Sequence, residues 1–369
     1  MPRVEGLVSG QMSQMRQSYE SILREIETCD EAIASALERR VQAARALGAL
    51  RREEPDQRLT IPSRSDVISA RQEASESLSD NAIAAVFREV VSACDQLIQP
   101  QRIAFLGTEG AFAHVAGIRH FGGAASFRGF TSTELVLEEV QAERCSFAVL
   151  PLETSTDGGV TLTLNALAGS ELRVVGELTI PCSHYLVAAA EKPAQIEKIY
   201  GASLAVGACE QFLRTHFPRA LVIDTPSTEV ALSFARDEAG AAAVGTESAL
   251  ATHGLSFVHE RIEDVVGQEV RFAIIGRQLV GRTGHDRTLV AVAAGDSAGA
   301  LSRCLQPFAD RGVNLTRLES RPAAGEAWRY LFYMELDGHV TDRRVLTALE
   351  DIRNESSFVR VLGSFPRPE

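Results

Sequence analysis

The spacing of apolar residues divides the chain into three regions. In the first region, apolar residues recur at helical spacing, among them Ile22, Ile26, Ile33 and Leu37. Ser79 is a suitable N-cap for the last helix of this region. The predicted helices are residues 12–52, 65–76 and 79–99. Because so long a first helix cannot bury its apolar face against two shorter ones, we predict an intertwined helical dimer.

Strands alternate with helices after Arg102, which predicts an α/β fold with a mostly parallel sheet. The predicted strands are residues 103–106, 124–127, 146–150, 173–180, 184–189, 198–200, 220–223, 241–244 and 271–275. The predicted helices are residues 112–120, 132–142, 205–217, 228–238 and 247–253. Two α/β lobes joined by crossing strands would form a cleft, and substrate sites commonly lie in such clefts.

The last region follows a β-α-β-β-α-β order, which is typical of a ferredoxin-like α+β domain. Its predicted strands are residues 288–293, 313–321, 328–336 and 359–365, and its predicted helices are residues 299–311 and 343–354. Gly276–His285 is the clearest linker. We therefore predict three domains, at residues 1–100, 101–278 and 286–369.

The composition excludes several classes of function. The formal net charge of −12 argues against a nucleic acid or an anionic membrane as partner. No apolar run approaches the ~20 residues of a membrane span, and the N-terminus lacks the apolar core of a secretory signal. Six scattered cysteines without metal-binding spacing predict buried free thiols in a cytoplasmic protein. No metal or cofactor is expected.

Ile103–Val115, which reads I-A-F-L-G-T-E-G-A-F-A-H-V, is the centre of the predicted chemistry. An apolar strand ends at Gly107 and Gly110, and a helix begins near Phe112. Free backbone N–H groups of the loop and the positive end of the helix could face an anion. On the glycine spacing alone, an ordinary strand–turn–helix junction is the preferred interpretation.

This stretch resembles the G-P-E-G-(T/S)-(F/Y)-(S/T) opening of prephenate dehydratases. Residues 149–160, V-L-P-L-E-T-S-T-D-G-G-V, resemble the V-P-I-E-N-S-x-x-G-x-V motif of that family. Ser227-Thr228 resembles its S-T-A motif, and Val270-Arg271-Phe272 resembles its T-R-F motif. Gly299-Ala300-Leu301 and residues 314–322, N-L-T-R-L-E-S-R-P, resemble the G-A-L and E-S-R-P signatures of the ACT domain attached to it. The first hundred residues resemble the helical chorismate mutase often fused in front.

The resemblance implies a multidomain protein. An all-α chorismate mutase-like domain precedes an α/β prephenate dehydratase-like domain whose two lobes resemble a periplasmic binding protein, and an α+β ACT domain follows. The implied catalytic residues are Glu153, Thr154, Ser155 and Arg271. The implied substrate-binding residues are Glu109, Gly110, Ala111, Phe112, Thr179, Ser227, Thr228 and Phe272. Two paired ACT domains are expected to bind phenylalanine or a related amino acid through Gly299, Ala300, Leu301, Asn314, Leu315, Glu319, Ser320 and Arg321.

The mutase family orients chorismate with arginines, a lysine and a glutamine, and needs no covalent chemistry. The residues that match these positions are Arg40, Arg51, Arg64 and Gln99. Three positions depart from the family pattern: Leu23 replaces an arginine, Arg51 a lysine and Ser65 a glutamate. We therefore predict weak or absent mutase activity, and solvated surface arginines are an equally good interpretation of these residues.

Dehydration of prephenate expels CO2 and the C4 hydroxyl, so a proton donor must lie near that hydroxyl. The family assigns the T-R-F threonine to that region, and this chain has Val270, which cannot donate a proton. Thr154 replaces the E-N-S asparagine, and residues 201–209, G-A-S-L-A-V-G-A-C, lack the polar residues of the family's S-H-P-Q-A-L-x-Q-C segment. We therefore predict a prephenate decarboxylase that leaves the ring non-aromatic, with Arg271 as a bidentate clamp on a substrate carboxylate.

Two alternatives stay open. A conventional bifunctional chorismate mutase/prephenate dehydratase would make phenylpyruvate for phenylalanine biosynthesis, with water or Thr154 in place of the lost threonine, and the intact ACT signatures favour it. A catalytically silent regulator would only sense amino acids through the ACT domain. The expected substrates are prephenate or an amino analogue of it, and chorismate. The expected assembly is a homodimer or a dimer of dimers.

Overall fold

The computed structural model describes residues 4–53, 64–74, 77–156, 158–189, 196–247, 254–295, 297–322 and 330–367, without the side chains of residues 4–18, 64–66 and 204. The chain divides into two compact units. The first contains Met1–Pro100 and Gly122–Ala124, and the second contains Gln101–Phe121 and Ala125–Glu369. Within the described ranges, no helix has the length and apolar character of a membrane span.

The first unit is helical, as predicted. It contains α1 (Val4–Glu53), α2 (Arg64–Gln72) and α3 (Asp80–Ile98). The hydroxyl of Ser79 caps α3 by accepting a hydrogen bond from the Ala82 N–H at 3.3 Å. The apolar residues Ile22, Ile26, Ile33 and Leu37 of α1 are exposed. Cys29 on the same stretch is also exposed, so the prediction of six buried thiols is wrong there, and the other five are buried.

The second unit contains two sheets. Its strands are β1 (Arg102–Leu106), β2 (Ser126–Phe130), β3 (Phe147–Thr154), β4 (Gly158–Gly159), β5 (Arg173–Pro181), β6 (Tyr185–Ala188), β7 (Lys198–Ala202), β8 (Leu221–Thr225), β9 (Ala241–Gly245), β10 (Ser256–His259), β11 (Glu269–Gly276), β12 (Asp286–Ala294), β13 (Leu315–Pro322), β14 (Tyr330–Asp337) and β15 (Ser356–Pro366). The large sheet has the order β13-β14-β12-β15-β5-β11-β3-β1-β2, with β4 on β3. The smaller sheet has the order β10-β6-β9-β7-β8.

The helices of the second unit lie between these strands in the chain. They are α4 (Phe112–Phe121), α5 (Thr133–Gln141), α6 (Thr161–Gly169), α7 (Ser203–Ala208), α8 (Glu210–His216), α9 (Thr228–Asp237), α10 (Ala300–Asp310) and α11 (Arg343–Glu355). The helix predicted at residues 205–217 is divided at Cys209 into α7 and α8. Elements β4, α6 and β10 were not predicted, and the helix predicted at 247–253 lies outside the described residues except for Glu247.

A close strand contact joins the C-terminal strands to the α/β strands. Gly363 of β15 lies opposite Val174 of β5 in a parallel pair. A Cβ on Gly363 would overlap the Val174 carbonyl oxygen, so only glycine allows this approach. Three strands separate β14 from β11 in the large sheet, yet Glu335 of β14 contacts Arg271 of β11. The sheet therefore curls back on itself and brings the ferredoxin-like strands over the α/β part.

Candidate functional site

The antiparallel strands β3 and β11 carry the central candidate residues. Thr154 lies directly opposite Val270, and Glu153 lies directly opposite Arg271. Residues directly opposite each other share a face of the sheet, and successive residues alternate between faces. Val270 packs against the hydrophobic cluster that contains Phe272. Thr154 and Val270 therefore share the face of that cluster, and Arg271 and Glu153 lie on the other face.

The end of β3 is held to β11 by polar contacts. Thr154 Oγ1 lies 3.5 Å from Thr156 Oγ1, and Thr156 accepts a hydrogen bond from Gln268 Nε2 at 3.0 Å. Ser155 donates its N–H to the Glu269 carbonyl at 2.9 Å, and its hydroxyl accepts from the Glu269 N–H at 3.0 Å. Ser155 thus fixes the strand end, and the chain Gln268–Thr156–Thr154 orients the hydroxyl of Thr154.

The loop after β1 turns at two glycines, since Gly107 and Gly110 have φ of 103° and 81°. The Gly107 N–H donates to the Phe130 carbonyl at 2.8 Å, and the Gly110 N–H donates to His114 Nδ1 at 3.1 Å. Burial lowers the pKa of His114 and outweighs the charge of Glu109, so the ring is neutral and can accept. The expectation that this loop offers free N–H groups to an anion is therefore wrong for Gly107 and Gly110.

Two contacts connect this loop with the second lobe. Thr246 donates its hydroxyl to the Gly110 carbonyl at 3.0 Å, and the Phe112 ring meets the edge of the His184 ring at 5.3 Å. His184 is buried, burial lowers its pKa, and its Nδ1 has no hydrogen-bond partner among the described residues. Neither His184 nor Thr246 could be predicted from the sequence, because neither belongs to a spacing pattern.

Four other predicted substrate residues have different positions. Ser227 caps α9 by accepting from the Val230 N–H at 3.3 Å, and Thr228 is the first residue of that helix. Thr179 lies opposite Arg271, so it does not share the face of Thr154. Phe272 is only 2% exposed and belongs to the core. Its predicted contact with a substrate stays a prediction.

Carboxylates of this chain surround Arg271. Its Nη1 donates to Glu335 Oε2 at 3.1 Å and lies 3.6 Å from Glu177 Oε2. Its Nη2 contacts Glu335 Oε1 and lies 3.0 Å from Glu153 Oε2. The exposed fractions of the side chains are 13% for Arg271, 3% for Glu335 and 0% for Glu177. Both terminal nitrogens thus face protein carboxylates, and the role of Arg271 as a clamp on a substrate carboxylate stays a prediction.

The pKa values of these buried groups shift in different directions. Burial raises the pKa of Glu177, and the charges of Arg271 and Arg287 oppose this shift without cancelling it. Burial also acts to raise the pKa of Glu335, but the hydrogen bond and charge of Arg271 outweigh it, so the pKa of Glu335 is lowered. Burial acts to lower the pKa of Arg271, and the contacts with Glu335 raise it overall. Arg271 is therefore a permanent cation committed to the protein.

The predicted effector residues fall into two groups within one chain. Glu319 accepts a hydrogen bond from the Gly159 N–H at 3.2 Å, and Arg321 donates to the Gly159 carbonyl at 3.1 Å. Leu301 and Leu315 pack against the hydrophobic cluster formed by α10, α11, β12 and β14. Among the other predicted effector residues, Gly299 precedes α10 and Ala300 is its first residue. Asn314 donates to Asp337 Oδ2 at 2.9 Å, and Ser320 is exposed. The first group therefore contacts the segment after β3.

The predicted mutase residues are partly brought together. Arg51 Nη1 donates to the Gln99 side-chain oxygen at 3.3 Å. Arg40 Nη1 donates to the Val90 carbonyl at 3.1 Å. Arg40 and Arg51 share a face of α1, since eleven residues make about three turns. The side chain of Arg64 lies outside the described residues.

Three protein families match successive parts of the chain. The models match chorismate mutase type II at residues 22–99, prephenate dehydratase at residues 103–279 and the ACT domain at residues 288–354. The fold and these matches define an enzyme class in which a mutase domain, a lyase domain and an ACT domain share one chain.

Relatives along the whole chain identify the family. The bifunctional chorismate mutase/prephenate dehydratase of Aquifex aeolicus is 30% identical over 357 residues, which cover 95% of this chain and 98% of the relative. The protein of the same description from Neisseria gonorrhoeae is 32% identical over 348 residues, which cover 92% and 95%. This chain belongs to the bifunctional chorismate mutase/prephenate dehydratase family.

A solved structure supports the same assignment. The prephenate dehydratase of Arthrobacter aurescens in complex with L-Phe has a TM-score of 0.64 and 36% identity, covering 72% of this chain and 90% of that chain. These relatives support the conventional dehydratase better than the predicted decarboxylase, and they do not favour the silent regulator.

Proposed function

We propose that this chain converts prephenate to phenylpyruvate and carries a weak chorismate mutase activity in its N-terminal helices. The observation that carries the proposal is the register of β3 and β11, in which Thr154 lies opposite Val270. The family has a hydroxyl at the position of Val270 and an amide at that of Thr154. In this chain the hydroxyl stands on the facing residue, with about 4.5–5.5 Å between the two Cβ atoms.

The position of Thr154 suits the proton donor that dehydration requires. In this reaction the bond to the ring carboxylate breaks, and its electron pair enters the ring as CO2 leaves. The C4 hydroxyl departs as water once it is protonated. Gln268 donates to Thr156, and the hydroxyl of Thr156 lies 3.5 Å from that of Thr154, so the two contacts orient the Thr154 hydroxyl at the end of β3.

The test compares Thr154→Val with wild type on prephenate, with phenylpyruvate measured by absorbance and CO2 released in parallel. A lost proton donor should reduce turnover by ~100-fold or more, since general acids contribute that much. Thr215→Val is the matched control, because its hydroxyl donates to the Gln211 carbonyl at an exposed position of α8. The variant Val270→Thr combined with Thr154→Asn restores the family pattern and should recover dehydration.

The product of the wild type decides between two reactions. Stoichiometric phenylpyruvate supports the dehydratase. Release of CO2 with no phenylpyruvate would overturn the proposal and restore the decarboxylase, whose product keeps the C4 hydroxyl.

Regulation by phenylalanine or a related amino acid is the second part of the proposal. The ACT family match and the described L-Phe complex of the Arthrobacter aurescens relative support it. Within one chain, Leu301 and Leu315 pack against a hydrophobic cluster, whereas Glu319 and Arg321 contact Gly159. A site that uses both groups would combine residues of two ACT domains, so we propose a homodimer or a dimer of dimers.

A further inference from the structure

Arg271 is one member of a larger group of charges, here called the ion cluster. The ion cluster contains four arginines, Arg271, Arg287, Arg317 and Arg321, and four glutamates, Glu153, Glu177, Glu319 and Glu335. Its formal charges cancel within the protein. The arginines and glutamates alternate in space, so each buried charge has a partner of opposite sign.

Glu335 is the most highly connected glutamate of the ion cluster. Besides Arg271, it lies 3.5 Å from Arg287 Nε and 3.5 Å from Arg317 Nη1. Arg317 also lies 3.2 Å from Glu153 Oε2 and contacts Glu319. A continuous series of ion pairs therefore runs from Arg321 and Glu319 through Arg317 and Glu335 to Arg271.

The two ends of this series have different predicted roles. Glu319 and Arg321 belong to the predicted effector signature, and they hold Gly159 by its N–H and carbonyl. Arg271 and Glu153 are the immediate chain neighbours of Val270 and Thr154. A backbone displacement at either charged residue also shifts the residue beside it, because successive residues share a planar peptide unit.

We infer that Glu335 is a positioning residue that transmits the state of the effector signature to the strand pair carrying Thr154 and Val270, within one chain. The inference rests on the proposed function for its activity measurements, but its hydrogen-exchange measurement does not. Ion pairs are a physical connection between two sites, and only a measured coupling makes that connection allosteric.

The experiment uses the full chain with Glu335→Gln, Glu335→Asp and the control Glu350→Gln. Glu350 is exposed on α11, so its variant removes the same charge outside the ion cluster. Amide exchange in segments 150–156 and 268–273 should be about tenfold faster in Glu335→Gln than in wild type and unchanged in the control. L-Phenylalanine should bind Glu335→Gln within about threefold of wild type by calorimetry but no longer inhibit phenylpyruvate formation. Glu335→Asp should partly restore inhibition.

Loss of inhibition without loss of binding separates positioning from a purely structural role. The inference is overturned if folded Glu335→Gln exchanges like wild type in both segments, if it retains full inhibition, or if phenylalanine has no effect on the wild type. If Glu335→Gln does not fold, Glu335→Asp decides by the same criteria. If the wild type makes no phenylpyruvate, the proposed function fails, and the exchange measurement alone decides whether Glu335 positions these strands.

Discussion

The arginines of the helical unit and those of the α/β unit have different surroundings, although similar sequence arguments selected them. Arg40 and Arg51 donate to a carbonyl and to an amide oxygen, both neutral groups. Arg271 faces the carboxylates of Glu153, Glu177 and Glu335. An arginine with neutral partners keeps its charge available for an anionic substrate, whereas the charge of Arg271 is already neutralised. A motif identifies the residue, but the charged groups around that residue decide whether its own charge is available to a substrate.

The largest expected effect is on folding, through Arg271→Met. This variant leaves three carboxylates without their central cation, and breaking a buried ion pair typically costs about 3–5 kcal/mol. Arg303→Met is the control, because Arg303 pairs with Glu355 at the surface, where such a pair contributes at most about 1 kcal/mol. Urea unfolding measures both free energies. Equal losses for the two variants would show that the ion cluster has no special role in stability.

The next effect concerns the exposed apolar face of α1. Ile33 is 58% exposed in the single chain, and the predicted dimer would bury it. Burial of one such side chain contributes about 1.5–3 kcal/mol, so Ile33→Glu should dissociate the dimer. Val266→Glu is the control, since Val266 is also exposed but lies in the second unit. Light scattering gives the mass of each variant, and a monomeric wild type would contradict the prediction.

Local patterns predicted most helices and strands, because helical spacing and strand alternation depend only on near neighbours. They failed at α6, whose sequence T-L-T-L alternates like a strand, although its leucines Leu164 and Leu167 are buried in a helix. The family resemblance also identified the signature residues Glu319 and Arg321. The resemblance predicted that they bind an effector, and it did not predict their hydrogen bonds with Gly159.

The partners of the central residues could not be predicted from local patterns. Thr154 and Val270 are far apart in the chain, and alternation does not specify which strands pair or in what register. Glu335 lies much later in the sequence than Arg271. The two side chains meet only because the large sheet curls beyond the contact between Gly363 and Val174. Charge balance in the ion cluster is therefore a property of the tertiary structure.

Acid should affect two buried glutamates in opposite ways. The pKa of Glu335 is lowered in the fold, so its contribution to stability is present above its unfolded pKa and is lost as the pH falls through its folded pKa. The difference in unfolding free energy between wild type and Glu335→Gln should therefore be largest near neutral pH and should become smaller in acid. The pKa of Glu177 is raised by burial, so the stability of wild type relative to Glu177→Gln should decline as the pH rises. Urea unfolding across the acid range checks both signs, and parallel curves would contradict them.

The smallest expected effect lies in the helical unit, on chorismate turnover. Arg51 stands where the family has a lysine, and its planar fork already contacts Gln99. Arg51→Lys restores a compact charge and should raise turnover about tenfold, which corresponds to about 1.4 kcal/mol. Arg39→Lys is the control, because it is the same substitution at an exposed position of the same helix. Chorismate consumption measures both variants. A wild type that already turns over at ~10 per second would show that the predicted weakness of the mutase is wrong.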